Sequence, residues 1–482
     1  MPPDQEDPRG GGWRRARALI RPGRFTGAVA WTLALRVLGL PAQLLLFILV
    51  ARLHDVASVG LFGVVSSLWL ATRMFGPFGF DRAAMRLLPL YAAEGRDWAA
   101  SALVRYALAR LAVPALLCGG ALVAAALWLE QVLPFLSGAG QESGAAGAMD
   151  ERGIVLICGL GLPAYVLIGF LVGVVRARRK VIAAQLPELV GQPLLSLLLI
   201  GAVALLRPDS GVEGSLAAVA ASAWTVALVY CWSIRDLLRP GPALPGAERR
   251  TIMSASIGIG LATVVTMVTQ RGPLFIVAAL AGASAAGLYE SAHRLALLGT
   301  IGTWATGAAV APMVAAAHAG RDGGRLRQLV AGSILVSSAQ ALGVVFLLLL
   351  FGDWLLGLFG PAFVAAHATA VFLALAYLLN AIGGPVASAC YMIGRERLVL
   401  AFNLAAAVTM AVAVTVGALT LGATGAALGF LLAVMVGDGG MAIAARTVLG
   451  IGLRDLHPGR LALALAPPAE GGPPGAAAGR DA

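Results

Sequence analysis

Apolar runs of 20 to 28 residues recur from one end of this chain to the other. Each is long enough to cross a hydrocarbon core about 30 Å thick. In lipid the backbone must satisfy its own polar groups, so such a run becomes a helix. The composition agrees: of 482 residues, 59% are hydrophobic and 12% charged, and the mean hydropathy is +0.86. A soluble protein of this length needs far more polar surface. The 61 glycines and many alanines suit helices packed closely in lipid, where small side chains let backbones approach. The predicted fold class is all-α, a polytopic membrane protein.

The spans read as roughly 27–51, 58–80, 100–128, 153–175, 181–206, 214–235, 252–280, 286–313, 327–352, 362–386, 398–419 and 422–447, about twelve transmembrane helices. The net charge of +11 invites a nucleic-acid reading, but the placement of the charges argues against it. The even-numbered junctions, counted with their helix ends, and both tails hold 26 of the 35 basic residues; the odd junctions hold Arg52, Arg152 and Arg207. Basic residues stay on the cytoplasmic side, which predicts both termini inside and no nucleic-acid partner.

Cys118, Cys158, Cys231 and Cys390 sit singly inside apolar spans. None has metal or redox spacing, and isolated cysteines of this kind are small hydrophobes. The N-terminal segment "RGGGWRRARALIRPGRF" has no small-residue cleavage site behind an apolar core, so it does not read as a cleaved signal peptide. Trp13, Arg14, Arg15, Arg17, Arg21 and Arg24 suit anionic lipid headgroups as membrane partners.

One stretch is written twice. "VARLHDVASVGLF" (Val50–Phe62) returns 227 residues later as "VAALAGASAAGLY" (Val277–Tyr289). Both fall on the outer-face turn between the first two helices of a group of six. There Gly60 and Gly287 are expected to supply turn angles that other residues avoid. "GRD" at Gly95–Asp97 recurs at Gly320–Asp322, and "RKVIAAQL" (Arg179–Leu186) aligns with "RLVLAFNL" (Arg397–Leu404). The order and topology match, which predicts an internal duplication. Six is even, so both halves insert the same way, related by a pseudo-two-fold axis along the membrane normal. The predicted organisation is a basic cytoplasmic tail (1–25), an N-lobe of six helices (26–235), a proline-rich cytoplasmic linker (236–251), a C-lobe of six helices (252–452) and a disordered cytoplasmic tail (453–482).

"VARLHDVASVGLFGVVSSLWL" followed by "GFDRAAMRLLPLYAAEGR" resembles the first two helices and inner loop of bacterial polysaccharide and O-antigen flippases. These belong to the multidrug/oligosaccharidyl-lipid/polysaccharide exporter superfamily. "SAAGLYESAHRLALLG", "LFGPAFVAAHATAVFLALAYLLNAIGGP" and "YMIGRERLVLAFNLAAAV" extend the resemblance from about residue 26 to 450. Gln270 stands before Arg271 where the family often carries an acidic residue. The resemblance implies two six-helix lobes in the bacterial inner membrane and a central cavity. Its implied substrate is an oligosaccharide on a polyprenyl diphosphate carrier, with other polysaccharide-assembly membrane proteins as candidate partners.

Six arginines fall within spans: Arg36, Arg73, Arg105, Arg110, Arg271 and Arg294. An arginine near a helix centre costs on the order of 2.5–3.5 kcal/mol on insertion scales, so such residues face a bundle interior or a wet cavity. Guanidinium groups bind phosphate oxygens bidentately and stay charged. Arg105 and Arg110 are near enough to the cytoplasmic end to snorkel. Arg36 and Arg73, about 10–14 Å from the inner face, and Arg271 and Arg294 of the second half are the candidate substrate-binding residues. Glu290 precedes Arg294 by four, a spacing that also allows simple neutralisation on one helix. Glu188, Glu290 and Asp438 are the candidates for ion coupling. Pro41, Pro273 and "GGP" at Gly383–Pro385 are the expected kinks.

An enzyme would want clustered acids and histidines or a sizeable domain outside the membrane. The longest loop, "SGAGQESGAAGAM", offers neither, and no catalytic residue, metal or cofactor is expected. Two other readings stand beside the flippase. A multidrug cation antiporter would want carboxylates in the first helix, which has none. A non-transporting scaffold for the lipid-linked precursor would keep the arginines.

Overall fold

A computed structural model describes residues 22–128, 151–178 and 181–450. Most of the basic N-terminal tail, the stretch 129–150, Arg179 and Lys180, and the chain from 451 onward lie outside the described residues. So does the side chain of Arg36, whose backbone belongs to the first helix.

Among the described residues the regular elements are helices: α1 (Pro22–Leu53), α2 (Val56–Phe75), α3 (Phe80–Ala93), α4 (Asp97–Trp128), α5 (Glu151–Ala177), α6 (Val181–Leu186), α7 (Gln192–Leu206), α8 (Val212–Ser233), α9 (Gly246–Ala296), α10 (Ile301–Ala319), α11 (Gly323–Gly357), α12 (His367–Met392), α13 (Glu396–Val434) and α14 (Gly440–Val448). Nine candidate spans among them are long and apolar enough to cross a membrane. Helix α9, with 51 residues, would run about 76 Å if straight, far beyond one bilayer. Its backbone breaks at Gly282 (φ 86°), and α13 breaks likewise at Gly422 (φ 59°). Splitting at both breaks and counting α1 restores the twelve segments read from hydropathy.

The helices run on through Pro41, Pro273 and Pro385, and the breaks come at glycines instead. Glycine, having no Cβ, takes a positive φ at little cost, whereas membrane helices absorb a proline by local adjustment. The segment after α2, read as an inner loop, contains α3. Phe80, Ala83, Ala84, Leu88 and Tyr91 form its buried stripe, at the spacing of an amphipathic helix.

Large apolar side chains stay exposed along the spans, Leu198, Leu205, Leu350 and Ile443 among them. Patches of that kind in a folded chain mark surface that lipid covers.

Contacts divide the chain into two compact units. One runs through Leu297 and adds Val345–Ala376 and Ala406–Ala433; the other comprises Leu298–Val344, Tyr377–Ala405 and the chain from Val434. In the first unit the twice-written stretch meets itself. A Cβ on Gly60 would lie 2.7 Å from the Gly287 nitrogen and collide with the Ala283 carbonyl. A Cβ on Gly287 would lie 3.1 Å from the Gly60 nitrogen and collide with the Val56 carbonyl. These contacts are reciprocal, since Val56 and Ala283 are also repeat equivalents. Both glycines are helical, so their role is close approach between α2 and α9, not turn geometry. The reversal itself falls at Asp55 in one copy and Gly282 in the other, again equivalent positions.

Arg52, one of the few basic residues in an odd junction, donates to the carbonyls of Leu358 (2.6 Å) and Gly357 (3.0 Å). It caps the C-terminus of α11, where a cation meets the negative end of the helix dipole.

The second unit has its own core, built around Val330, Ile334, Val386, Cys390, Val399 and Met441. Several polar groups inside this unit are paired, although the buried Thr303 and Ser338 hydroxyls have no partner among the described residues. Gln340 donates to the Leu298 carbonyl (2.8 Å) and accepts from the Gly302 amide (3.0 Å), and Ser337 donates to the Ala381 carbonyl (2.7 Å). Buried groups left unpaired would each cost about 1–3 kcal/mol.

Candidate functional site

Three sets of polar residues sit inside the spans, and each is built by a different local device.

The first surrounds Glu188. Between α6 and α7, residues Pro187–Gly191 form a π-turn, in which the Gln192 amide reaches back five residues to the Pro187 carbonyl. Proline lacks an amide hydrogen, and the wider turn sets Glu188 inward, where it is buried. Turns of this kind recur at functional sites. Glu188 forms an ion pair with Arg73 of α2, a partner 115 residues away in sequence. Gln192 donates to the Tyr165 hydroxyl (2.9 Å), and Trp69 stacks on Tyr165 with centroids 5.4 Å apart. The Tyr230 hydroxyl donates to the Ala184 carbonyl (2.6 Å).

The second set lies on α9. Glu290 is fully buried. One carboxylate oxygen accepts from Arg294 Nε at 2.9 Å, and the other lies 3.7 Å from His293 Nδ1. The guanidinium of Arg294 also covers the Phe47 ring of α1, 4.5 Å from its centroid, a cation–π contact. Arg271 is half-buried and within electrostatic range of Glu290, His293 and Arg294.

The third set belongs to the second unit. A second π-turn, Met435–Gly439, carries Asp438. Asn380 of α12 donates to Asp438 Oδ2 at 3.0 Å. Gly383 makes room, since a Cβ there would stand 2.6 Å from the Asp438 Cα. The glycine-rich "VGDGG" and "NAIGGP" thus serve one close crossing.

Of the candidate substrate residues, Arg73 is therefore paired with Glu188, Arg294 with Glu290, and Arg271 stands near that second pair. Arg105, considered as a snorkelling residue, donates to the carbonyls of Arg239, Gly241 (3.0 Å) and Pro242 (2.9 Å) and so fastens the linker. Tyr165, Gln192, Phe47 and Asn380 were not singled out from sequence. Neutral side chains in apolar runs carry no signal of their own; Asn380 alone, beside "GGP", had a local hint. Among the described residues there is no group of three or more His, Cys, Asp or Glu side chains placed to hold a metal ion.

A family model described as polysaccharide biosynthesis protein matches residues 26–318, well over half of the chain. The chain belongs to this family. No protein of curated function matches the sequence. Among solved structures, the fold of this polysaccharide biosynthesis family member is similar to lipid II flippase MurJ in an inward closed conformation. The TM-score is 0.66 at 14% identity, covering 90% of this chain and 88% of that one. It is also similar to a multidrug resistance MATE transporter of the MOP superfamily in an inward-facing conformation (TM-score 0.65, 19% identity, 85% and 94% covered). A third is a MOP superfamily transporter from Pyrococcus furiosus whose binding pocket shows reverse polarity (0.60, 18%, 88% and 95%). At these identities the likeness is one of fold. The fold is one that these membrane transporters and this flippase share.

Proposed function

We propose that the protein moves a polyprenyl-diphosphate-linked oligosaccharide from the cytoplasmic to the outer leaflet of the bacterial inner membrane by alternating access, with both termini in the cytoplasm. The observation that carries this reading is the surplus of positive charge on α9. Among the described residues, Arg271 and Arg294 have a single carboxylate between them, Glu290, so the cluster has a guanidinium left for an anion. Diphosphate oxygens and carboxylates compete for the same bidentate donor. In this scheme Glu290 and Glu188 are resting counter-ions, which the diphosphate displaces from Arg294 and Arg73 in turn. The membrane potential favours outward movement of an anion by about 2.3 kcal/mol per charge per 100 mV.

The family match on a polysaccharide biosynthesis model and the fold shared with a lipid II flippase support this reading. The fold shared with MATE transporters supports a second one, a multidrug cation antiporter, and Asp438 favours it. Of the three intramembrane carboxylates singled out, it is the one whose hydrogen-bond partner is an amide and not a cation.

The test is leaflet translocation of a lipid-linked oligosaccharide by purified protein in liposomes, comparing wild type, Arg271→Ala and Asp438→Asn. Loss of translocation in Arg271→Ala, with the variant folded, supports the flippase. Wild-type protein that moves no lipid but exchanges an organic cation, with exchange lost in Asp438→Asn, supports the antiporter.

A further inference from the structure

At the start of α9 the linker is held in place by three engaged arginines. Arg178 grips Asp236 with two hydrogen bonds (2.8 and 2.7 Å). Arg105 holds the linker carbonyls, and Arg96 bridges Glu248 (2.8 Å) and Glu94 (3.3 Å). Beside this fastened strap lies a cavity of about 590 Å³, lined among others by Tyr106, Arg110, Arg249, Arg250, Met253 and Ile257.

Its three arginines differ from their neighbours. Arg110, Arg249 and Arg250 make no ion pair with any described carboxylate, and all three are exposed. Arg110 rests against the Tyr106 ring, 5.7 Å from its centroid. The wall is also graded. Arg249 and Arg250 are the fourth and fifth residues of α9, while Met253 and Ile257 follow about one and two turns further along the same helix. Positive groups followed along one helix by apolar ones match a molecule with an anionic head and a hydrocarbon tail. A free anion would have no use for the apolar part. The first turn of a long helix adds the positive end of its dipole.

We propose that this cavity binds the phosphate head of a lipid in the cytoplasmic leaflet, with its chain running along Met253 and Ile257. Basic pockets between membrane helices on that side are suited to anionic lipid heads. The head comes either from a resident anionic phospholipid or from a diphosphate lipid carrier; the phosphate–guanidinium chemistry is common to both.

Native mass spectrometry of the delipidated full-length protein tests this without any transport step, so its result is independent of whether the protein flips lipids. Phosphatidylglycerol should bind in preference to phosphatidylcholine. Arg249→Ala/Arg250→Ala should weaken that binding about five-fold or more per arginine removed, with Arg110→Ala carrying the same test if the double variant does not fold. Arg395→Ala/Arg397→Ala, on another basic junction, should bind as wild type. Equal binding of the two phospholipids, equal loss in this control, or no loss in Arg249→Ala/Arg250→Ala overturns the proposal. Displacement of phosphatidylglycerol by a polyprenyl diphosphate assigns the site to the carrier; resistance to it assigns the site to the phospholipid. Displacement by inorganic diphosphate alone, as effectively as by either lipid, also overturns it.

Discussion

Gly63 stands where its missing Cβ would lie 2.9 Å from Cγ of Glu290. The glycine of α2 is what leaves room for the buried carboxylate of α9. Gly63 and Glu290 are also equivalent positions of the internal repeat, offset by the same 227 residues as Gly60 and Gly287.

That contact makes a coupling prediction. Gly63→Ala should lower the melting temperature in detergent, because Glu290 must shift against Arg294. Removing one partner of a buried pair costs about 3–5 kcal/mol. Arg294→Ala should approach the lower end, since Arg294 itself is partly exposed. Gly63→Ala combined with Glu290→Ala should destabilise less than the sum of the singles, as contacting residues do. Strict additivity would mean that the two side chains do not share this space.

The glycine crossing predicts a sharper contrast. In Gly60→Ala and Gly287→Ala the new methyl meets backbone, which cannot swing aside. Overpacking of this sort costs about 1–3 kcal/mol or more, and the yield of folded protein should fall with it. Gly120→Ala, where nothing lies within 4 Å, should be neutral or slightly stabilising by helix propensity. Equal tolerance at all three positions would remove the close crossing from the fold.

The Glu290–Arg294 pair also bears on transport. Glu290→Gln keeps the volume but frees Arg294 from its counter-ion. If carboxylate and diphosphate compete, this variant should bind polyprenyl diphosphate several-fold more tightly and turn over more slowly. Unchanged affinity in a folded Glu290→Gln protein would argue that substrate never reaches Arg294.

His54 gives a pH prediction outside the spans. Its ring bonds the Ser215 hydroxyl at 2.8 Å. Burial holds the imidazole below its ordinary value of 6.5, against the upward pull of Asp55 and Glu213. The unfolded chain therefore takes up a proton before the folded one does. Its contribution to stability is intact above about 6.5 and is lost as the pH falls through that value toward the lowered folded one. Thermal melts between pH 7.5 and 5.5 should show a smaller acid loss in His54→Gln than in wild type.

What sequence could tell followed from how local each signal was. The spans were legible because a run of apolar residues declares its own length. Glu290 and Arg294 were legible as a pair because four residues is one helical turn. Arg73 and Glu188 were legible only as isolated charges, since nothing in an apolar helix names the helix it will touch. The same blindness misread Gly60 and Gly287. Their recurrence was plain, but a glycine for a turn and a glycine for a crossing look alike in sequence, and only the reciprocal contacts tell them apart.

The pairing of Gly63 with Glu290 has a consequence for symmetry. Two identical chains meeting across this crossing would bring two glutamates, or two glycines, to face each other near the axis. The first arrangement sets like charges against each other without room for either; the second leaves no charge at all. One covalent chain holding both copies escapes that choice, because one copy can keep the hollow while the other fills it. A single buried charge near a two-fold axis is something a homodimer cannot build, and a fused repeat can.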